Sequence, residues 1–457
     1  MLALIAGAVD DRSARGIAAA VSRLVSAGSL PAGARLPTVR DVARELGVSP
    51  TTVSEAWGSL TRAGAIRTRG RSGTFVSGPA ARPRQRLRYA QLGGLPLPTN
   101  LSTGVPDHDL LPDLTESLKR VGDGRLTTSY LDEPVLPPLE EVLRERWPFR
   151  PERLTVVDGA MDALDRITAT LVRFGDHVLV ENPGFPPLLD LLETVGATMV
   201  GVTLDDQGLL PFALKHALND YQPVALFLQP RAQNPTGVSM SRTRTTAIAE
   251  ILERHPGVTI VEDDHAGDIA SAELHSLGQH FPDRTVHVSG FSKSHGPDLR
   301  LAAVGGPAET IAAIADRRLL GPGWSSRILQ AVLLDLLTDP AAIAQVAAAR
   351  VEYSRRRGIL LDELDELEVR ATAIDGINLW LSVEDQQYAM LTLAAHGIAV
   401  APGAPFLVSP VASDHVRLTV GLVRDGFAGL AQILASAAGP DQRGSGPRSP
   451  SHPRGWR

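Results

Sequence analysis

The chain of 457 residues is 43% hydrophobic and 21% charged, contains no cysteine, and carries a net charge of −6. That length leaves room for more than one domain with its own buried core, and the absence of cysteine excludes disulfide frameworks and thiolate metal centres. The opening stretch, 1–9, is apolar but too short to cross a bilayer and has no basic lead-in, so a cytoplasmic protein that stays off membranes is expected.

The net charge conceals two unlike parts. Residues 1–90 hold fourteen arginines against five acids, Asp10, Asp11, Asp41, Glu45 and Glu55, so the remainder of the chain is strongly acidic. A basic segment ahead of an acidic body points to contact with a polyanion. Scattered solubilising arginines are the plainer account, and charge alone leaves both open.

In chain order, 12–27 reads as an amphipathic helix with Ile17, Val21, Leu24 and Val25 on one face and Gly28 at its end. A second helix is expected from about Pro37 to Leu46, closed by Gly47. A third is expected over 50–63, with Ser49 as its cap, Pro50 as its first residue and Gly64 as its stop. Val53, Ala56, Trp57 and Leu60 form its inward stripe. The stretch 65–76 then reads as a hairpin turning through Gly70-Arg71-Ser72-Gly73.

Three helices followed by a hairpin is the order of a winged helix-turn-helix. Its third helix enters the major groove of double-stranded DNA and its hairpin lies along the backbone. Thr51, Thr52 and Ser54 are placed to reach base edges or phosphates, and Arg40, Arg44, Arg67, Arg69 and Arg71 to contact the backbone. A three-helix packing module with polar faces is the alternative.

From 79 to 99 the chain is rich in Pro, Gly, Arg and Gln without periodicity, which reads as a linker. The expected organisation is therefore a DNA-binding domain over 1–78, a second domain over 100–438, and a disordered tail over 439–457 with little to bury. Within the second domain, helical stretches alternate with apolar runs at 154–157, 177–180, 224–228, 259–261 and 286–288. That alternation predicts a largely parallel sheet covered by helices.

Only three of the 45 basic residues are lysines: Lys119, Lys215 and Lys293. Schiff-base chemistry needs an amine, which arginine cannot supply. Lys119 and Lys215 sit in polar helical settings, whereas Lys293 ends Ser289-Gly290-Phe291-Ser292-Lys293 just after an apolar run. Arg300, seven residues on, can clamp a phosphate, and Gly159-Ala160-Met161-Asp162 can offer it a helix N-terminus. Asp263, in Glu262-Asp263-Asp264, closes another run and can keep a pyridine nitrogen protonated, unless the acids form a solvated turn. Asn234-Pro235-Thr236-Gly237 can place an amide near a phenolate oxygen or be a simple loop. No metal site is expected.

The run Leu36-Pro37-x-x-Arg40-x-x-Ala43-x-x-Leu46-Gly47-Val48-Ser49, continued by Thr52-Val53, Leu60, Gly64 and Gly73-Thr74-Phe75-Val76, resembles the GntR family of bacterial repressors over residues 12–78. The resemblance implies DNA contacts at Arg40, Ser49, Thr51, Thr52 and the wing pair Arg69-Gly70. Pro50 and Ser54 stand where that family often has arginine.

The motifs of the second domain, in their order, resemble fold-type I aminotransferases, and residues 12–436 as a whole are similar to the MocR-type regulators. The resemblance implies an α/β domain that binds pyridoxal 5′-phosphate (PLP). Lys293 would form the internal aldimine, Asp263 would face the pyridine nitrogen, and Asn234 the phenolic oxygen. Phe185, in Glu181-Asn182-Pro183-Gly184-Phe185, would stack on the ring, while Arg300, Gly159, Ala160, Met161 and Ser292 surround the phosphate. Tyr130 would reach a neighbouring subunit's phosphate in a homodimer, and Arg417, with Asn234 nearby, would take the carboxylate of an effector or substrate. His265 stands where such proteins have a tyrosine donor, Gly290 where they have a hydroxyl, and Val135 and Glu140 where they commonly have Gly and Arg.

The function implied is a transcriptional regulator that senses a small amino compound, or the coenzyme itself, through Lys293. Two alternatives stand beside it: a working aminotransferase with a vestigial DNA-binding domain, and a DNA-binding dimer whose large domain is a cofactor-free scaffold.

Overall fold

The computed structural model describes residues 1–26, 29–31, 33–62, 65–68, 73–76, 97–122 and 133–439. The expectations for Arg69, Gly70, Tyr130, most of the linker and almost all of the tail lie outside these residues.

The amino-terminal unit begins with α1 (Leu2–Ala8), a segment read from sequence only as too short for a membrane. It is a helix whose Ile5 is fully buried in a core with Ile17, Val21, Val42 and Leu60. Next come α2 (Ala14–Ser26), α3 (Val39–Leu46) and α4 (Pro50–Arg62), followed by β1 (Ile66–Thr68), which pairs antiparallel with β2 (Thr74–Val76). The second helix starts later than expected. Thr38 caps it, its hydroxyl accepting the Asp41 N–H at 3.2 Å, which leaves Pro37 outside. A hydroxyl cap satisfies an orphan donor of the first turn, and proline at the first position is no substitute for that. Ser49 caps α4 as expected, accepting the Thr52 N–H at 3.1 Å. Val53, Ala56, Trp57 and Leu60 are buried against α2 and α3.

In the second unit an eight-stranded sheet carries the architecture. Its elements are β3 (Arg153–Val157), α5 (Ala160–Leu171), β4 (His177–Asn182), α6 (Pro186–Thr194), β5 (Thr198–Asp205), β6 (Gly208–Leu209), β7 (Ala225–Leu228), β8 (Thr259–Asp264), β9 (Thr285–Gly290) and β10 (Ala302–Gly306). The strand order is β3-β10-β9-β8-β7-β4-β5-β6. Strands β9, β8, β7, β4 and β5 pair in parallel, and β10 runs antiparallel to both β9 and β3. The sequence Ala-Ala-Val-Gly-Gly of β10 explains why no apolar run announced it. A Cβ on Gly305 would lie 2.7 Å from the Trp147 ring, and one on Gly306 would lie 2.4 Å from the Thr285 carbonyl. This strand is selected for close approach, not for strand propensity.

A smaller lobe follows. After α7 (Ala308–Leu319), the long helix α8 (Pro340–Glu366) leads into a second sheet. It contains β11 (Ala371–Thr372), β12 (Leu379–Val383), β13 (Ala401–Pro402) and β14 (Asp414–Leu418), in the order β11-β12-β14-β13, and α9 (Phe427–Ala438) packs beside it. Thr99, assigned to the linker from sequence, already pairs with Ile398 of this lobe. The loop leaving α5 touches the amino-terminal unit: Arg15 meets Asp176 at 2.5 Å, and Phe174 packs against the core of α2 to α4. Among the described residues no single helix is long and apolar enough to cross a membrane.

Candidate functional site

Strands β7, β8 and β9 end at one edge of the sheet, where open α/β folds bind ligands. Because side chains alternate along a strand, Asp263 and Asp264 at the end of β8 face opposite ways. Asp264 is held by Arg231 through two bonds, at 2.9 and 2.8 Å. Asp263, only 4% exposed, accepts from Gln229 Nε2 at 2.8 Å on Oδ2, while its Oδ1 has no partner among the described residues. Burial raises its pKa. A buried acceptor left open costs about 1–3 kcal/mol, so this oxygen calls for a donor, and a cationic ring N–H supplies both hydrogen bond and charge. Phe185, Gly184, Glu181 and Gln229 lie around Asp263.

Lys293 follows β9, half-buried, and donates to the Gly104 carbonyl at 2.5 Å. Burial and then the Arg417 charge push its pKa down to about 8, against the pull of Asp263. The other two lysines are exposed, Lys119 pairing with Glu116 at the surface, so the amine singled out from sequence is the one inside the crevice.

Arg417 on β14 is 1% exposed, donates to Asn234 Oδ1 at 3.3 Å and to the Ser102 carbonyl, and lies 5.5 Å over the Phe406 ring. Gly104, at φ +66, makes this crowding possible, because a Cβ there would sit 2.9 Å from the Arg417 guanidinium. Neither Ser102 nor Gly104 was found from sequence. They come from the segment after the linker, and only the fold brings them near Lys293.

Gly159 caps α5 at φ +98, and a Cβ on it would lie 3.2 Å from the Arg300 guanidinium. Arg300 donates to the Asp158 carbonyl at 3.2 Å. Ala160 and Met161 open α5, so first-turn N–H groups lie near an arginine, an arrangement that can attract an anion. Ser292 is half-exposed beside Lys293.

Two acids here, not recognised from sequence, complicate the binding of an anion. Asp162 sits in the first turn of α5, a repulsive neighbour for phosphate, and Asp158 flanks it. Arg318 of α7, 1% exposed, binds Asp162 at 2.9 Å and Asp158 at 3.1 Å, and Arg166 also holds Asp162, at 2.9 Å. No local signal marks Arg318, since a basic residue in the last turn of a helix reads as a surface feature.

Glu181 is the other unanticipated group. Burial foremost, with Asp263 adding, pushes its pKa up to about 8 although Gln233 donates to it at 3.2 Å. The folded chain therefore keeps a proton that the unfolded chain releases near 4.5. The contribution of this group to stability should be fully present below that value and be lost as pH climbs through about 8. Glu181→Gln should flatten this fall, which denaturant midpoints measured across the window would report.

On the amino-terminal unit, Arg40, Ser49 and Thr51 are exposed, and Thr52 is half-buried with its hydroxyl 2.8 Å from that of Ser49. These groups gather around the start of α4.

Comparison with known proteins agrees with both parts. Residues 13–76 match the family described as bacterial regulatory proteins, gntR family, and residues 98–432 match aminotransferase class I and II. The chain is 33% identical over 424 residues to the vitamin B6 salvage pathway transcriptional repressor PtsJ of Salmonella typhimurium, covering 91% of this chain and 96% of that one. It is 29% identical over 400 residues to the pyridoxine biosynthesis regulator PdxR of Corynebacterium glutamicum, covering 83% and 85%. Among solved structures it is similar to LysN, the α-aminoadipate aminotransferase of Thermus thermophilus complexed with N-(5′-phosphopyridoxyl)-L-leucine. That match has a TM-score of 0.70 and 23% identity and covers 79% of this chain and 96% of that one.

Proposed function

Because the chain belongs to the MocR-type regulators, a gntR-family DNA-binding domain joined to an aminotransferase class I and II domain, we propose that its DNA binding is set by PLP captured at Lys293. Transcriptional regulation follows from membership of the family; what the protein reads, and through which residues, is our reading. The observation that carries it is the buried Asp263 Oδ1, without a partner among the described residues, near enough to act on a lysine whose pKa is pushed down to about 8. The names of PtsJ and PdxR, which refer to vitamin B6 salvage and pyridoxine biosynthesis, favour the coenzyme itself as the signal.

When bound, the coenzyme supplies an aldehyde that amines attack and a ring that withdraws electrons. Lys293 supplies the amine, and Asp263 Oδ1 accepts the ring N–H. Arg300 and the start of α5 hold the phosphate, Phe185 covers one face, and Asn234 turns toward the phenolic oxygen. Arg417 receives the carboxylate of an amino compound that joins the coenzyme. Tyr130 completes the phosphate site of the second subunit in a homodimer, and two DNA-binding units, with Arg40, Ser49, Thr51, Thr52, Arg69 and Gly70 toward the duplex, read paired half-sites. The Arg15–Asp176 pair and Phe174 supply a route by which the large domain biases the small one.

The test is the affinity of the full chain for DNA upstream of its own gene, with and without PLP. A change of about tenfold is expected, lost in Lys293→Ala. Equal affinities in all four measurements would sink the reading.

A further inference from the structure

His265 departs from the family pattern in this site, and its hydrogen bond decides what it can offer. His265 Nε2 lies 3.0 Å from the Ala232 carbonyl oxygen. A carbonyl only accepts, so that ring nitrogen carries a proton. The carbonyl is not free to turn away. Ala232 is 3% exposed at φ 47, its N–H donates to Ser239 Oγ at 2.9 Å, and a Cβ on Gly376 would lie 2.9 Å from its own Cβ.

We propose that His265 is held as the neutral tautomer with its proton on Nε2, presenting a lone pair where a tyrosine would present a proton. It is a positioning residue that leaves the coenzyme's phenolic oxygen without that side-chain donor. The proposal rests on the reading that PLP binds at Lys293. The charged groups facing the ring are Asp263 and Asp264 from β8, Lys293 from the loop after β9, and Arg231, bound to Asp264, from the loop that carries Ala232. Burial outweighs the two carboxylates and, helped by Lys293, lowers the imidazole's pKa. With Nε2–H committed to Ala232 and the ring neutral, Nδ1 can only accept.

Asn234 remains. Its Oδ1 accepts from Arg417 at 3.3 Å, which turns the amide so that Nδ2 is the group able to donate to the phenolic oxygen. One donor in place of two leaves that oxygen less stabilised as an anion and strengthens its hold on a shared proton. The loaded protein's visible chromophore therefore keeps its proton to higher pH than a tyrosine would allow. That state suits retention of an amine ligand better than rapid proton transfer.

Two measurements on the full chain test this. In histidine-¹⁵N-labelled, coenzyme-free protein, long-range NMR correlations assigned by their loss in His265→Asn should show one protonated and one bare ring nitrogen. Two protonated nitrogens would overturn the proposal. In PLP-loaded protein, the pH midpoint of the visible absorbance should fall by about one unit in His265→Tyr, and an unchanged or higher midpoint would equally overturn it. Absence of any visible band in the unaltered protein counts against the Lys293 reading instead, and the coenzyme-free tautomer then decides this proposal alone.

Discussion

Arg318→Leu should cost the protein most of its affinity for PLP, and Asp162→Asn in the same chain should return much of it. Arg318 is 1% exposed and joins Asp162 at 2.9 Å, Asp158 at 3.1 Å and Ser325 at 3.1 Å. With the guanidinium present, the two acids beside the α5 N-terminus belong to a neutralised cluster. Without it, Asp162 keeps Arg166 and the Asp158 N–H, and Asp158 loses its pairing with Arg318 while a doubly charged phosphate is being admitted nearby. Breaking a buried ion pair by removing one partner costs about 3–5 kcal/mol. Asp158 is 46% exposed, so water screens part of that loss and a drop in affinity of at least about tenfold is the conservative expectation. The double variant separates charge from packing, because leucine fills the space equally in both proteins and only the electrostatic account predicts recovery. Binding unchanged in Arg318→Leu, read by equilibrium dialysis, would mean the phosphate lies elsewhere.

The parts of the molecule that were legible in the sequence are those encoded locally. Gly47 closes α3 in the left-handed conformation, and Ser49 holds the Thr52 N–H as its position predicts. Lys293 stood out because only three lysines exist in the chain, and two of them lie on polar helices. Asp263 was marked by its place at the end of an apolar run. What escaped was encoded at long range or by the absence of side chains. Strand β10 is small residues fitted under Trp147 and beside Thr285, a pattern that alternation of polar and apolar residues cannot reveal. Helix α1 is too short to show a period, and its one buried residue, Ile5, declares itself only against the other helices. Gln229 bridges Asp263 and the Asn234 backbone at 2.8 Å each, yet it lies in what reads as a plain loop. Arg318 shares that difficulty across more than 150 residues. Thr38 was passed over because Pro37 looked sufficient to start a helix, whereas the orphan N–H groups of a first turn need an acceptor.

Covalent capture of PLP should follow a pH profile with its midpoint near the 8 to which Lys293 is depressed, far below the 10.5 of an ordinary lysine. The sign comes from the nucleophile: only the free amine attacks, so capture rises as the ammonium loses its proton. Burial is the largest cause, because the charged form loses its water, and the Arg417 charge is the second. Arg417→Met removes the second cause and should move the midpoint upward, slowing capture at neutral pH. Lys293→Arg should abolish capture altogether, as a guanidinium stays protonated throughout. The direction of the shift separates two roles for Arg417. If it served only to anchor a carboxylate, its loss would weaken amino acid binding and leave the midpoint of capture where it was. An upward shift, followed by borohydride trapping and mass mapping of the peptide that carries Lys293, would mean that the same buried guanidinium both receives the ligand's acid group and keeps the lysine ready to react.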